Sequence, residues 1–234
     1  MFAEFSDVLT LKSFYLLHAF DLLGTAVFAM SGALLAYEQR RNALYGLLYA
    51  VLTAVGGGTL RDLLLGQPSV FWMRSPVYLW LAAMAGLLAF ALAHIIRLRR
   101  KHFWLADDIS LAIFTVVGNQ VTMSVISATP NAYASGWTMW LIPPIMGLFT
   151  GMAGGLMRDM IGSKSPDVLQ YPSYAIASLI GGGVYLTLVS LGVSAFYAIV
   201  VPIAFIILML PIPDQDVLKL NVCVRHLSHR FGWR

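Results

Sequence analysis

Four stretches of this chain, residues 42–60, 75–96, 109–157 and 168–213, contain no Lys, Arg, Asp or Glu. A helix that crosses the hydrocarbon core of a bilayer needs about 20 mostly apolar residues. The first two stretches therefore hold one span each, and the last two have room for two each. A further span around Ser13–Ala36 carries a single acid, Asp21. The count is seven. The runs are continuously apolar rather than alternating, which disfavours a β-barrel. Composition closes off the alternatives: 59% of the 234 residues are apolar and only 11% are charged, about half the charged share of a soluble domain. So few charges cannot cover a surface in water, and the same figures exclude disorder, collagen-like repeats and disulfide scaffolds. The chain reads as an all-α integral membrane protein.

Helices are expected near 13–37, 43–66, 76–97, 107–128, 136–161, 171–191 and 194–212, forming one membrane domain over 1–212 with a basic tail at 213–234. Pro143–Pro144 falls inside the fifth span and should kink it. The sixth and seventh spans are separated only by a short turn near Gly192. Orientation follows from the basic residues. With the N-terminus outside, the inner segments collect Arg40, Arg41, Arg97, Arg99, Arg100, Lys101, Arg158, Lys164, Lys219, Arg225, Arg230 and Arg234, against Lys12, Arg61 and Arg74 outside. That bias predicts a multi-pass protein of the inner (plasma) membrane with its C-terminus in the cytoplasm. The start, MFAEFSDV, is acidic where a secretory signal would be basic, so no cleaved leader is expected. Cys223, the one cysteine, leaves no intramolecular disulfide.

The chain repeats itself. Asp21-Leu-Leu-Gly24-Thr-Ala26-Val-Phe28, with Gly32 beyond, matches Asp107-Asp-Ile-Ser110-Leu-Ala112-Ile-Phe114, with Gly118 beyond, at an offset of 86. Gly57-Gly58-Thr59-Leu60-Arg61-Asp62 matches Gly154-Gly155-Leu156-Met157-Arg158-Asp159 at an offset of 97. Spans one to three (about 13–97) thus resemble spans four to six (about 107–191), with span seven left over. Each unit holds an odd number of spans, so the copies must insert in opposite senses. That is an inverted 3+3 repeat, an arrangement common among transporters and some channels.

GGxxRD, present twice, carries the most chemistry. Glycines inside a helix cost about 1 kcal/mol each, and a charge near the bilayer centre costs at least about 2.5–3.5 kcal/mol. One reading is a helix broken at Gly56, Gly57 and Gly58, and again at Gly154 and Gly155. Carbonyls freed at the break could coordinate a cation, while Asp62 and Asp159 begin the second half-helix and Arg61 and Arg158 pair with acids or lipid phosphates. The plainer reading is close helix packing at the glycines with an interfacial Arg–Asp anchor after them. The inverted duplication favours the first, since matched irregular helices in two halves mark a midplane site.

Other candidates are weaker. Asp107 and Asp108 read as acids complementing a helix N-terminus; Asp21, preceded by apolar sequence, stays open. Thr25 and Ser31 in the first span, with Thr115, Asn119 and Thr122 in the fourth, keep to spacings that share a face, suiting either a pore wall or interhelical hydrogen bonds. Gly181–Gly183 reads as close packing. His94, His102, His226 and His229 read as solvated rather than as metal ligands. The loop Arg97, Arg99, Arg100 and Lys101, and the tail, are expected to meet anionic lipid headgroups; topology explains the basic excess without nucleic acid. HExxH, GxSxG and P-loop signatures are absent, so neither an enzyme nor an ATP-driven pump is expected.

The paired D-x-x-G-x-A-x-F and GGxxRD elements, over seven spans, make residues 14–212 resemble the prokaryotic TRIC (trimeric intracellular cation) channel family, with Ser110 in place of one motif glycine. The resemblance implies a homotrimer with a pore through each protomer, conducting K+ and also Na+, without a cofactor, and with kinked second and fifth helices lining that pore. Carried onto this chain, those are Gly56–Gly58, Arg61 and Asp62, and Gly154, Gly155, Arg158 and Asp159. The same bacterial domain is also labelled a glycine transporter, so a secondary transporter for glycine or another small amino acid is the alternative. Half-helix ends suit an amino-acid zwitterion as well as a cation, and a structural or lipid-handling role is a third class.

Overall fold

The computed structural model describes residues 11–96, 101–128, 137–163, 166 and 172–210, and among these every regular element is helical. In chain order they are α1 (Leu11–Glu38), α2 (Ala43–Leu64), a one-turn helix (Phe71–Arg74), α3 (Val77–Ile96), α4 (Lys101–Ala128), α5 (Thr138–Ile161), α6 (Pro172–Ser190) and α7 (Ala195–Met209). Six of them, α1 to α6, are long and apolar enough to cross a membrane. The seventh is apolar but runs for only 15 residues, about 22 Å at 1.5 Å per residue, against a hydrocarbon core of about 30 Å. It is shorter than the 194–212 span expected. Arg97, Arg99, Arg100 and the tail 213–234 lie outside the described residues.

Local chemistry sets the helix ends. Asn42 caps α2, its side chain accepting from the Tyr45 N–H at 3.1 Å. Gly66 and Gly192 take positive φ just after α2 and α6. The next N–H reaches back to a helix carbonyl in each case, Gln67 to Asp62 and Val193 to Leu188. This closing turn places one residue in the left-handed region, where glycine is unstrained. Gly192 therefore does mark the boundary between the last two helices. The largest departure lies at α4, which begins six residues before Asp107 rather than at it. The acid chosen as a helix start sits in the second turn, so its partners must be sought elsewhere.

Packing is that of a bundle in lipid. Alanines and aromatic rings from α1 to α4 form the main core: Ala29, Ala33, Ala36, Ala50, Ala54, Ala82 and Ala89 around Phe28, Phe90 and Phe114. Small residues let helices approach where no hydrophobic effect drives them together. Large apolar side chains face outward instead: Trp80, Met84, Leu88 and Ile95 occupy an outer face of α3, and Leu44, Leu48 and Leu52 recur every four residues on α2. α1 touches α2, α3 and α4; α5 lies against α2, α4 and α6; and α7 packs on α6 and α4.

α2 and α5 each run as one continuous α-helix through their glycines. The expected break, with freed carbonyls, is not there. Close packing between the two helices supplies the reason. A Cβ on Gly57 would collide with the Thr150 carbonyl oxygen, and one on Gly154 would lie 2.6 Å from the Thr53 carbonyl oxygen. The glycines are offset in the two helices by 97 residues, and so are the threonines, so each contact is the other's counterpart. α1 meets α2 the same way, with Gly32 against Tyr49 and Thr53; α4 meets α5 with Gly118 against Gly147 and Thr150.

Candidate ion pathway

The α2–α5 crossing has an Arg–Asp pair on either side of it. Arg61 lies four residues beyond Gly57, and Arg158 four beyond Gly154, on helices that pass in opposite directions. At 1.5 Å per residue the two pairs are roughly 18 Å apart along the bundle. Both acids fall in the last turn of their helices, where the helix dipole disfavours a carboxylate. Each needs compensation, and each has it.

In the second half Arg158 is fully buried. Its Nε and NH2 donate to Asp159 Oδ1 at 2.8 and 2.6 Å. NH1 donates to Ser31 Oγ at 2.6 Å and to Asp107 Oδ1. Ser31 itself donates to Asp107 at 2.9 Å. One guanidinium thus ties α5 to α4 and α1. A clamp nearby joins the same ends: Gln39 Nε2 donates to the Gly162 carbonyl at 2.7 Å, and the Tyr49 hydroxyl lies against Gln39 and the Ile161 carbonyl. The neighbouring acid, Asp108, accepts from the Tyr174 hydroxyl at 3.0 Å.

In the first half, among the described residues, Arg61 donates to its neighbour, Nε to Asp62 Oδ1 at 2.9 Å with NH2 at 2.8 Å. Asp62 Oδ2 accepts the Phe71 N–H at 2.7 Å, and Arg74 stands 3.6 Å away. The Phe71 ring lies under the Arg61 guanidinium and fills the place a Gly58 side chain would take. Trp72 Nε1 donates to Thr59 Oγ1 at 3.0 Å. The one-turn helix is thereby stitched onto the end of α2. Asp21 accepts from the Tyr78 hydroxyl at 2.6 Å, and His18 Nδ1 lies 3.2 Å from that hydroxyl.

The other sequence candidates divide. Ser31 joins the charged cluster. Thr25 donates to the Asp21 carbonyl one turn back, as Thr53, Thr122 and Thr150 do to theirs, which satisfies a hydroxyl in an apolar setting without any partner helix. Thr115 pairs with Ser178 at 2.7 Å. Asn119 donates to the Thr115 carbonyl at 2.8 Å, while its buried Oδ1 has no partner among the described residues. Gly56 faces Met157. Gly155 is buried, yet a Cβ there would meet nothing within 4 Å. Asp107 is the residue the sequence reading missed; it is no dipole acid but the interhelix partner of Arg158. Its match to Asp21 in the repeat was the available signal. Of the proposed lipid-facing group, only Lys101 falls among the described residues, at the start of α4.

Comparison with known proteins places this geometry. The family described as "Glycine transporter" matches residues 18–94 and 104–190 and leaves out residues 1–17, 95–103 and 191–234, the last including α7. The Escherichia coli (strain K12) UPF0126 inner membrane protein YadS is 36% identical over 191 residues, 80% of this chain and 83% of that protein. The TRIC trimeric intracellular cation channel orthologue from Rhodobacter sphaeroides superposes with a TM-score of 0.74 at 29% identity, over 82% of this chain and 94% of that one. The chain belongs to the TRIC family. A second solved TRIC cation channel gives a TM-score of 0.67 at 26% identity and covers 92% of this chain and 94% of its own. This TRIC-family chain is accordingly a multi-pass membrane protein, like its inner-membrane relative.

Proposed function

We propose that the chain is a passive channel for monovalent cations, chiefly K+ and also Na+, with one path through each protomer of a homotrimer. The observation that carries this reading is the likeness to solved cation channels over nearly the whole of both chains. In this reading the halves form an inverted 3+3 repeat with α7 as a seventh span. The reciprocal contacts of Gly57 with Thr150 and of Gly154 with Thr53 support it, because a two-fold relation between the halves generates one contact from the other. α2 and α5 bend at their glycine motifs without losing their hydrogen bonds, and line the path with Thr25, Ser31, Thr115 and Asn119. Gly56, Gly57, Gly58, Gly154 and Gly155 keep side chains out of it, and Arg61, Asp62, Arg158 and Asp159 set its charge at either end. The N-terminus faces outward and the C-terminus the cytoplasm, with Arg97, Arg99, Arg100 and Lys101 against anionic lipid.

Single-channel recording of the purified protein in planar bilayers under asymmetric KCl tests this. Discrete steps reversing near the K+ equilibrium potential, and unchanged by glycine, are expected. Electrical silence together with saturable glycine uptake into liposomes would overturn the channel reading in favour of an amino-acid transporter.

A further inference from the structure

Among the described residues, Asn119 Oδ1 is a buried side-chain oxygen with no hydrogen-bond partner, on a residue that is fully buried. The amide is not free to turn round. Its Nδ2 donates to the Thr115 carbonyl at 2.8 Å, and a carbonyl can only accept. A Cβ on Gly147 of α5 or on Gly182 of α6 would run into the same nitrogen, and Pro144 adjoins that spot, its Cα 3.1 Å from where the Gly182 Cβ would stand. Oδ1 is thus held where α4, α5 and α6 meet, beside the two prolines of α5. Proline has no N–H, so the Met139 and Trp140 carbonyls lose the donors that residues 143 and 144 would otherwise supply. Helix carbonyls point toward the C-terminal end, which aims these two oxygens along α5 at Pro143 and Pro144. The first half is apolar at the matching level. At the repeat offsets Asn119 answers to Ala33, Gly147 to Ala50, Gly182 to Gly86 and Pro143 to Gly46. There the Ala50 methyl fills the notch at Gly86, Ala33 belongs to the apolar core, and the Gly46 N–H donates to the Asn42 carbonyl at 3.1 Å.

We propose that Asn119 Oδ1, with the Met139 and Trp140 carbonyl oxygens, forms a binding site for a partly dehydrated monovalent cation, K+ or Na+, inside the second three-helix unit. Acceptor oxygens left without donors take either a hydrogen-bond donor or a bare cation. Carbonyl-type oxygens are the ligands that replace the hydration shell of K+ in selective pores. These three are neutral, so the ion is held weakly enough to leave again, as conduction requires. A water molecule would also satisfy Oδ1, but its binding would not distinguish one salt from another. The site deepens the channel reading and rests on it for any effect on current. Binding of the cation does not depend on that reading.

Thermal unfolding of the full chain in detergent, in KCl against choline chloride at equal ionic strength, reads binding independently of conduction. The wild-type Tm should rise by about 3–6 °C once K+ stands tenfold above its dissociation constant. Choline, whose charge is wrapped in methyl groups, should give no rise. Asn119→Leu keeps the number and branching of the side-chain atoms but removes the oxygen, so the K+-dependent rise should vanish. Pro143→Ala/Pro144→Ala returns N–H donors to the Met139 and Trp140 carbonyls in a sequence that favours the helix. It should fold and show a smaller rise, which decides the matter even where Asn119→Leu fails to fold. A wild-type Tm that is the same in both salts would overturn the site, and is the result a bound water would give. A rise that survives intact in either variant would overturn it too. Bilayer recording separates this from the channel reading. Electrical silence with an Asn119-dependent K+ rise would refute the channel and keep the site, whereas K+ currents without that rise would do the reverse.

Discussion

Gly154 and Gly155 are neighbours in one buried helix, and replacing each by alanine should have opposite consequences. A Cβ on Gly154 would lie 2.6 Å from the Thr53 carbonyl oxygen and 2.8 Å from the Phe28 ring, against an ordinary contact of about 3.5 Å. The obstacle is helix backbone, so α2 and α5 must part by most of the missing distance. Overpacking of that kind costs about 1–3 kcal/mol. Gly155→Ala meets nothing within 4 Å. Both substitutions gain the same helix propensity, about 1 kcal/mol, so that term cancels between them. The difference between the two alanine variants is then the steric cost alone, about 2 kcal/mol. For a chain of this size that corresponds to about 4–8 °C in Tm, with Gly155→Ala at or above wild type. Heating in detergent followed by size-exclusion chromatography measures it. Equal Tm values for the two variants would refute the claim that the crossing is held by direct glycine–carbonyl contact.

Further outcomes follow from the same contacts. Asp159→Asn removes the carboxylate that takes two bonds from a buried guanidinium and should destabilise by about 3 kcal/mol; Asp62→Asn should do likewise, and both should change conductance far more than Asp167→Asn, as bilayer recording would report. Gly155→Leu, which projects into the open space beside α5, should cut unitary K+ conductance while the protein still elutes as the wild-type oligomer; an unchanged conductance would take Gly155 off the path. Gln39→Ala breaks the bond to the Gly162 carbonyl and should cost about 1 kcal/mol, read as a Tm loss of about 2–4 °C.

Spans are legible in this sequence because the bilayer demands about twenty mostly apolar residues at a time, and six of the seven expected spans coincide with helices long and apolar enough to cross a membrane. What was not legible depends on partners far along the chain. Glycines in α2 and α5 suggested a break because their intrinsic cost is visible locally. The compensation is not: Gly57 meets Thr150 and Gly154 meets Thr53, about a hundred residues away. Asp107 misled for a related reason. An acid before an apolar run reads as a helix start, but α4 begins at Lys101, and Arg158 and Ser31, which explain the acid, sit on other helices. The motif residues were found by repetition alone, and repetition also marked Asp107 through Asp21.

The crossing of α2 and α5 has a consequence for how the two copies of the repeat can drift apart. Each copy supplies a glycine to the other and receives a glycine in return, so a side chain gained at Gly57 injures the fit at Thr150 and one gained at Gly154 injures the fit at Thr53. Neither copy is at liberty there, whatever its surroundings become. Positions outside the handshake are under no such bond. Ser31 stands where the other copy has Val117, Asn119 where it has Ala33, and Asp108 where it has Leu22. A duplicated chain can therefore keep its crossing and still let the residues around it differ between the two halves.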